Sequence, residues 1–329
     1  MKTSPIPSTV DPLGEALHSL RLRGAFYCLS ELTEPWGLDL PRMGGCLWFH
    51  VVTTGHGRLE VDAADPVLLR PGDLALVPHG QGHRLRSAAD VATPLVTALP
   101  HDYEGDRYAT LRHGGGGPAT RLVCGAVRLE SPAARSLIEL LPRVLTVEAG
   151  TSPASAWLRS TLELMAAEAR GLRPGGEAVI TRLADILVIQ AIRSWIETDP
   201  GAQTGWLAAL RDPQIGRAIS LIHRDPARPW TVESLADELA MSRSAFSARF
   251  TDLVGEPAMR YVARWRMQVA VERLREGDDT VGALSSRLGY RSEAAFSRAF
   301  KRVVGVPPGA VRRESEIGSA VAASGPVGH

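Results

Sequence analysis

Residues 242–257 read SRSAFSARFTDLVGEP and residues 292–307 read SEAAFSRAFKRVVGVP, so the chain writes one stretch twice, fifty positions apart. Ser242 and Ser292, Phe246 and Phe296, Phe250 and Phe300, Gly255 and Gly305, and Pro257 and Pro307 stand at matching places. Two copies are too few for a solenoid. A second matched piece precedes each copy: TVESLADELAMS from Thr231 and TVGALSSRLGYR from Thr280. Each threonine is a good N-cap, because its hydroxyl accepts from the orphan N–H groups of a first helical turn. Val232, Leu235, Ala236 and Leu239 follow at helical spacing, as do Val281, Leu284 and Leu288. Small residues, Ala240 and Gly289, then fill a corner, and Ser242 and Ser292 cap a new helix. The pattern predicts helix, tight turn, helix, twice.

Within each second helix the two phenylalanines lie four apart, on one face, where they can anchor it to the first. That leaves Arg243, Ser244, Ser247 and Arg249 facing outward in the first unit. The second unit offers Arg291, Ser292, Glu293, Ala294, Ser297, Arg298, Lys301 and Arg302. Arginine can fork onto guanine, serine can serve base edges or phosphate, and alanine leaves room for a thymine methyl. A helix so furnished suits the major groove, with its cations meeting phosphates. The plainer alternative is a helical bundle with a solvated basic face, which two spaced copies make the greater coincidence. Between the units runs PAMRYVARWRMQVAVERLREG, with Tyr261, Trp265, Val269 and Leu274 apolar against Arg260, Arg264, Arg266 and Arg273. About nineteen helical residues span ~28 Å, near the ~34 Å between successive major-groove faces. Two readers on that strut can enter adjacent turns of double-stranded DNA.

Charge points the same way. From Arg211 to Arg313 there are 18 Lys and Arg against 12 Asp and Glu, whereas the whole chain has 37 against 36. The C-terminal part is therefore basic and the remainder acidic, which suggests that only the former meets a polyanion. A length of 329 residues allows about two domains, and 44% apolar with 22% charged residues describes an ordinary globular protein. No apolar run approaches the ~18 residues of a membrane span, and the opening MKTSPIPSTVDPLGEAL lacks the apolar core of a secretory signal. Cytoplasm is the expected compartment, with no membrane partner. Three cysteines, Cys28, Cys46 and Cys124, are too few for a disulfide framework.

From Gly24 to about Ser131 short runs such as AFYCLSEL, CLWFHVV, GRLEVDA and TRLVCGAVRLE alternate with turn residues, which predicts an antiparallel sandwich or barrel. RHGGGGPAT at 112–120 reads as a flexible loop. From Ser155 the period becomes helical, in SAWLRSTLELMAAEA and GEAVITRLADILVIQAIRSWIE. Val179, Leu183, Ile186, Val188, Ile189 and Ile192 make the second of these apolar on more than one side, so either its own barrel or a partner subunit covers it. ETDPGAQTG at 197–205 reads as a domain boundary, with helices from Trp206 onward.

The segments from Thr231 to Leu274 and from Val281 to Arg313, above all GYRSEAAFSRAFKRVVGVPP, closely resemble the DNA-binding domain of AraC-type transcription regulators. Ala295 stands where many members carry an aromatic, while Phe296 keeps the anchor. LRLRGAFYCLSELTEPWGL, FHVVTTGHGRLEV, LRPGDLALVPHGQGHRL and TRLVCGAVRL are similar, in that order, to the cupin-like sensor domain of a large AraC subgroup. The resemblance implies an α+β chain: a cupin-like β-barrel over about 24–131 with flanking helices over about 154–198, together a sensor and dimerisation domain (1–200). An all-α domain with two helix-turn-helix units (206–314) and a flexible tail (315–329) follow. It implies a homodimer that senses a small-molecule, metal or reactive effector, binds promoter DNA and addresses RNA polymerase, as an activator in the commonest case.

GDLALVPHGQGH fits the second cupin motif through Gly72, Pro78, Gly80 and His83. The first motif keeps only His50, with Glu60 a weak extra, so the three-His-plus-Glu site of cupin oxygenases is incomplete. This weighs against the alternative, a cupin-type enzyme with a helical appendage. Cys28, His50, His83 and Cys124 fall one to each of the four similar segments. They could form a tetrahedral Zn²⁺ set, making zinc a candidate cofactor. They could instead hold a redox-active thiol pair, as in thiol-based sensors of oxidants and electrophiles in this subgroup. Or they could be buried cysteines beside histidines lining an organic-ligand site. Cys46 reads as core.

Overall fold

The computed structural model describes residue 14 and residues 22–103, 107–129, 137–149, 154–171, 175–199, 205–277 and 279–313. Two compact units emerge, one over Ser19–Asp199 and one carrying the chain from Pro200 onward. The segment 315–329, read as a flexible tail, lies outside the described residues.

The first unit is built on β1 (Leu22–Thr33), β2 (Gly37–Leu40), β3 (Cys46–Thr54), β4 (Gly57–Val61), β5 (Val67–Leu69), β6 (Leu74–Val77), β7 (His83–Arg86), β8 (His101–Tyr103), β9 (Tyr108–Gly114), β10 (Ala119–Leu129) and β11 (Leu145–Val147). A seven-stranded sheet runs β11-β6-β3-β10-β1-β9-β8, and a four-stranded sheet runs β2-β7-β4-β5. Alternation does the folding: in β4, Leu59 and Val61 turn inward while Arg58 and Glu60 stay half-exposed. Trp36, Leu38, Leu40, Trp48, Val52 and Leu85 fill the space between the sheets.

Three features differ from expectation. The sheet is mixed, because β1 pairs in parallel with β9 from Tyr27↔Tyr108 to Thr33↔Gly114. Seven strands intervene, so no hairpin fixes the direction of that pair. β11 is a three-residue strand paired with β6, too short to show a period. The glycine run is a tied turn rather than a flexible loop. Gly115 N–H donates to the Thr33 carbonyl at 2.9 Å, and Gly117 N–H to that of Glu34 at 2.8 Å. A Cβ at Gly115 would lie 2.4 Å from Pro35, and one at Gly117 2.6 Å from the Glu34 oxygen. Close backbone approach, not mobility, explains these glycines. Helices α1 (Ala154–Gly171) and α2 (Gly176–Thr198) complete the unit. α2 buries Ile180, Leu187, Val188, Ile192 and Ile196 and leaves Val179 and Ile186 exposed.

The second unit is all helix: α3 (Gly205–Arg211), α4 (Pro213–Arg224), α5 (Val232–Glu238), α6 (Arg243–Val254), α7 (Ala258–Glu276), α8 (Val281–Arg287) and α9 (Glu293–Val304). Each half of the repeat is capped as its twin is. The Thr231 hydroxyl accepts from Ser234 N–H at 3.0 Å and that of Thr280 from Ala283 N–H at 3.2 Å. The Ser242 and Ser292 hydroxyls each accept an N–H three residues on, both at 3.2 Å. Gly255 and Gly305 end α6 and α9 in the left-handed conformation. Phe246, Phe250, Phe296 and Phe300 are all fully buried.

A buried polar chain ties α3 and α4 to α7. Trp206 Nε1–H donates to the Tyr261 hydroxyl at 2.9 Å, and that hydroxyl donates to His223 Nε2 at 2.8 Å. The imidazole stacks on Trp265 with ring centroids 3.6 Å apart. Burial, and then the charge of Arg264, push the His223 pKa down to about 3, so the ring is neutral and able to accept. No helix among the described residues is long and apolar enough to cross a membrane.

Candidate functional site

The paired phenylalanines turn one face of α6 and of α9 inward, and the opposite faces carry the residues singled out for DNA. On α9, Glu293, Ala294, Arg298, Lys301 and Arg302 are exposed, as is Arg291 just before it, while Ser297 is half-buried. Among the described residues Arg291, Arg298, Lys301 and Arg302 enter no ion pair, leaving four cations free for phosphate or base edges. Ser292 uses its hydroxyl to cap the helix.

The face of α6 is differently made. Arg243 lies 4.0 Å from Glu233, and the Ser244 hydroxyl lies 3.2 Å from that of Ser242. Ser247 is half-buried. Arg249, expected to reach DNA, is exposed but paired with a neighbouring carboxylate: its Nε donates to Asp212 Oδ2 at 3.1 Å. Asp212 also caps α4, accepting from Gln214 N–H at 3.0 Å and Ile215 N–H at 2.9 Å. Burial would raise that carboxyl, but hydrogen bonds from Arg249 and the two amides outweigh it and hold the pKa below the usual range. The pair pins α6 to the start of α4, and Asp212 is the functional residue that sequence reasoning missed. Its signal was legible, since an Asp before a Pro is a helix-start signature.

The arginines of α7 are likewise engaged rather than outstretched. Arg264 Nε donates to Glu256 at 2.8 Å, and Arg260 lies 3.7 Å from the same carboxylate. Arg266 donates to the carbonyls of Pro226 at 2.6 Å and Arg228 at 2.8 Å. The strut is therefore fastened to its own unit.

In the barrel, pairing places Cys28 opposite Cys124 across β1 and β10, and Cys124 opposite His50 across β10 and β3. Three of the four candidate sensor residues thus share one cross-strand row. The Cys28 thiol lies 3.6 Å from the Ser30 hydroxyl. Burial pushes the Cys28 pKa up to about 11, against smaller opposing hydrogen bonds from Ser30 and the Leu111 backbone. Burial, then its neighbour Cys28, push Cys124 up as well. Both thiols are neutral at physiological pH. Cys46 is buried, as expected.

The histidines face each other, with His50 Nε2 and His83 Nε2 at 2.7 Å. His83 Nδ1 is 3.1 Å from the Gln81 carbonyl, which can only accept. Nδ1 of His83 therefore carries its proton, and its bare Nε2 accepts from His50 Nε2–H. That leaves His50 Nδ1 buried without a partner. Burial pushes the His50 pKa well down, with His83 adding to it, and takes that of His83 to about 4.

The tetrahedral zinc set is one of three alternatives for these residues. No group of three or more His, Cys, Asp or Glu among the described residues could hold a metal ion. The imidazoles meet through Nε2, and zinc would have to displace the protons of both thiols. Glu60, the weak extra, is taken by Arg86 and Arg58, whose hydrogen bonds outweigh burial and lower its pKa.

Beside the cysteine pair lies a cavity of about 260 Å³ walled by Phe26, Leu38, Leu40, Met43, Trp48 and the two thiols. Among the described residues its lining contains no Asp, Glu, Lys or Arg but includes the imidazole of His101.

A two-sheet barrel around an apolar cavity, carried in one chain with twin Phe-anchored helix-turn-helix units, defines a DNA-binding transcription regulator with a cupin domain. Residues 11–197 match the family model described as Cupin, and residues 235–314 match that described as Helix-turn-helix domain. An AraC-like transcription regulator of Streptomyces lividans is 35% identical over 313 residues, spanning 92% of this chain and 98% of the relative. The transcriptional regulator AlkR of Acinetobacter baylyi is 28% identical over 311 residues, 93% and 100% of the two chains. Among solved structures, the C-terminal domain of AraT from Geobacillus stearothermophilus is similar at 29% identity and TM-score 0.30, over 31% of this chain and 86% of that one. The chain belongs to the AraC-like transcription regulators and is a regulator, not an enzyme.

Proposed function

We propose that the chain binds double-stranded promoter DNA through α6 and α9, and that an effector entering the barrel cavity alters this binding. The observation that carries the reading is the pair of matched, Phe-anchored helices whose exposed faces bear Arg243, Ser244, Arg291, Ala294, Arg298, Lys301 and Arg302. α9 supplies most of the phosphate contacts and α6, with fewer free cations, works through small polar side chains. The exposed Val179 and Ile186 of α2 support a homodimer, and RNA polymerase is the partner of a regulator acting at a promoter in the cytoplasm. An effector shifts promoter binding only as far as it favours one arrangement of the chain over another.

Electrophoretic mobility shift against the DNA upstream of the protein's own coding sequence tests this. Sequence-preferring complexes that weaken steeply with added salt are expected; their absence refutes the reading.

One observation favours a second mode of sensing. Cys28 and Cys124 lie directly opposite on adjacent antiparallel strands, where Cβ atoms sit ~4.5–5.5 Å apart, close to the ~3.5–4.5 Å that a disulfide needs. Thiol counting before and after hypochlorite tests it: loss of two thiols, abolished in Cys28→Ser, supports oxidation sensing.

A further inference from the structure

We infer that the two reading helices take different base pairs: α9 reads guanine through Arg298, whereas α6, with Ala248 at the twin position, packs against a thymine methyl. The inference rests on the promoter reading above and names the sequence class of that DNA. Helical geometry sets the comparison. Residues three and four apart share a face, so Ala248 and Thr251 stand together on α6, away from the buried Phe246 and Phe250. At an offset of fifty, the same face of α9 carries Arg298 and Lys301. All four are exposed, and so are the neighbouring Asp252 and its twin Arg302.

Charge separates the twins. Ala248, Thr251 and Asp252 include a carboxylate and no cation, whereas Arg298, Lys301 and Arg302 are all cations. The two arginines of α6 also lie beside carboxylates from earlier in the unit. Arg243 is 4.0 Å from Glu233, and Arg249 is paired with Asp212. No cation of α9 enters an ion pair among the described residues. The grip of α9 is therefore electrostatic, and that of α6 depends on close fit.

Base chemistry follows from the same pair of residues. Recognition helices read base edges through their N-terminal part, and Ala248 and Arg298 are each the sixth residue of a twelve-residue helix. An arginine there donates two parallel hydrogen bonds to O6 and N7 of guanine. Alanine donates none, but its methyl admits the helix close to the base edges. In the major groove thymine alone presents a methyl, and alanine is one of the side chains that meets it. Asp252 sharpens the division, because phosphates repel a carboxylate and so keep the C-terminal end of α6 off the backbone.

Selection of binding sites from a randomised duplex by the full chain, followed by affinity measurements on the selected site, tests the division. Two enriched blocks about one helical turn apart are expected, one holding a guanine and the other a thymine. Arg298→Ala should cut the discrimination for that guanine about tenfold or more and leave the thymine block as it was. Replacing the thymine by deoxyuridine removes only its methyl and should weaken binding about fourfold, the worth of one buried methyl group. Ala248→Arg should turn the thymine block to guanine. Alanine and arginine are both good helix formers, so these exposed positions tolerate either, and the deoxyuridine measurement needs no variant at all. A guanine preference that survives Arg298→Ala, or a deoxyuridine site bound as tightly as the thymine site, overturns the assignment while the promoter reading stands. If no sequence is enriched, both readings fall.

Discussion

Ala240 and Gly289 occupy the same corner of the two helix-turn-helix units and adopt the same left-handed backbone, with φ of 52° and 74°. For a residue with a Cβ that conformation costs roughly 1–2 kcal/mol. Ala240 is exposed, so nothing in its surroundings demands the methyl group. Ala240→Gly should therefore raise the stability of the C-terminal unit by about 1 kcal/mol, allowing for the larger entropy of glycine in the unfolded chain. The opposite change at the twin position is harsher, because a Cβ on Gly289 would lie 2.4 Å from the Ala227 carbonyl oxygen. Gly289→Ala should cost at least about 2 kcal/mol, adding backbone displacement to the conformational penalty. Urea denaturation followed by the fluorescence of Trp206 and Trp265 measures both; equal effects at the two corners would contradict the geometry.

The two reading helices share caps, anchors and C-terminal glycines but not charge. Each phosphate contact removed lowers the slope of log affinity against log salt by about 1. Arg298→Ala and Lys301→Ala in α9 should each flatten the slope by about that much. Arg249→Ala in α6 should leave it nearly unchanged, since that guanidinium is engaged by Asp212, and should instead lower stability only slightly, as an exposed ion pair is lost. A slope for Arg249→Ala equal to that for Arg298→Ala would return Arg249 to the DNA. This element also shows where sequence reasoning reaches its limit. The helices, their caps and the phenylalanine anchors were legible, because all depend on residues within four positions of one another. Arg249 and Asp212 are 37 residues apart, and no spacing rule links them. The barrel followed the same division. Alternation disclosed the strands, whereas the parallel β1–β9 pair and the Cys28–Cys124–His50 row arise from pairings between distant strands. Those pairings bear on the metal, redox and ligand readings of the four sensor residues.

Both units of the chain bury neutral imidazoles, and acid should therefore weaken each of them independently. His83 in the barrel titrates near 4 and His223 in the helical unit near 3, while His50 is pushed well down as well. In the unfolded chain each titrates near 6.5. Because the folded values are depressed, the unfolded state binds protons first as pH falls, and the folded state loses ground. Stability should thus be flat above about pH 7 and decline from about 6.5 toward 4, by up to about 1.4 kcal/mol per pH unit for each imidazole. Depressed carboxyls do not account for that window. Glu60 and Asp212 lose their contribution only below their ordinary values of 4.5 and 3.8. Urea midpoints at pH 7.5, 6.0 and 5.0 measure the effect, with the C-terminal unit reported by Trp206 and Trp265. His223→Gln should flatten that unit's decline while lowering its stability at pH 7.5, since the amide cannot reproduce the stack on Trp265. A midpoint independent of pH between 7.5 and 5.0 would mean that these rings are not neutral and enclosed. The hydrogen-bond chain through Tyr261 and the His50–His83 tautomers would then both fall.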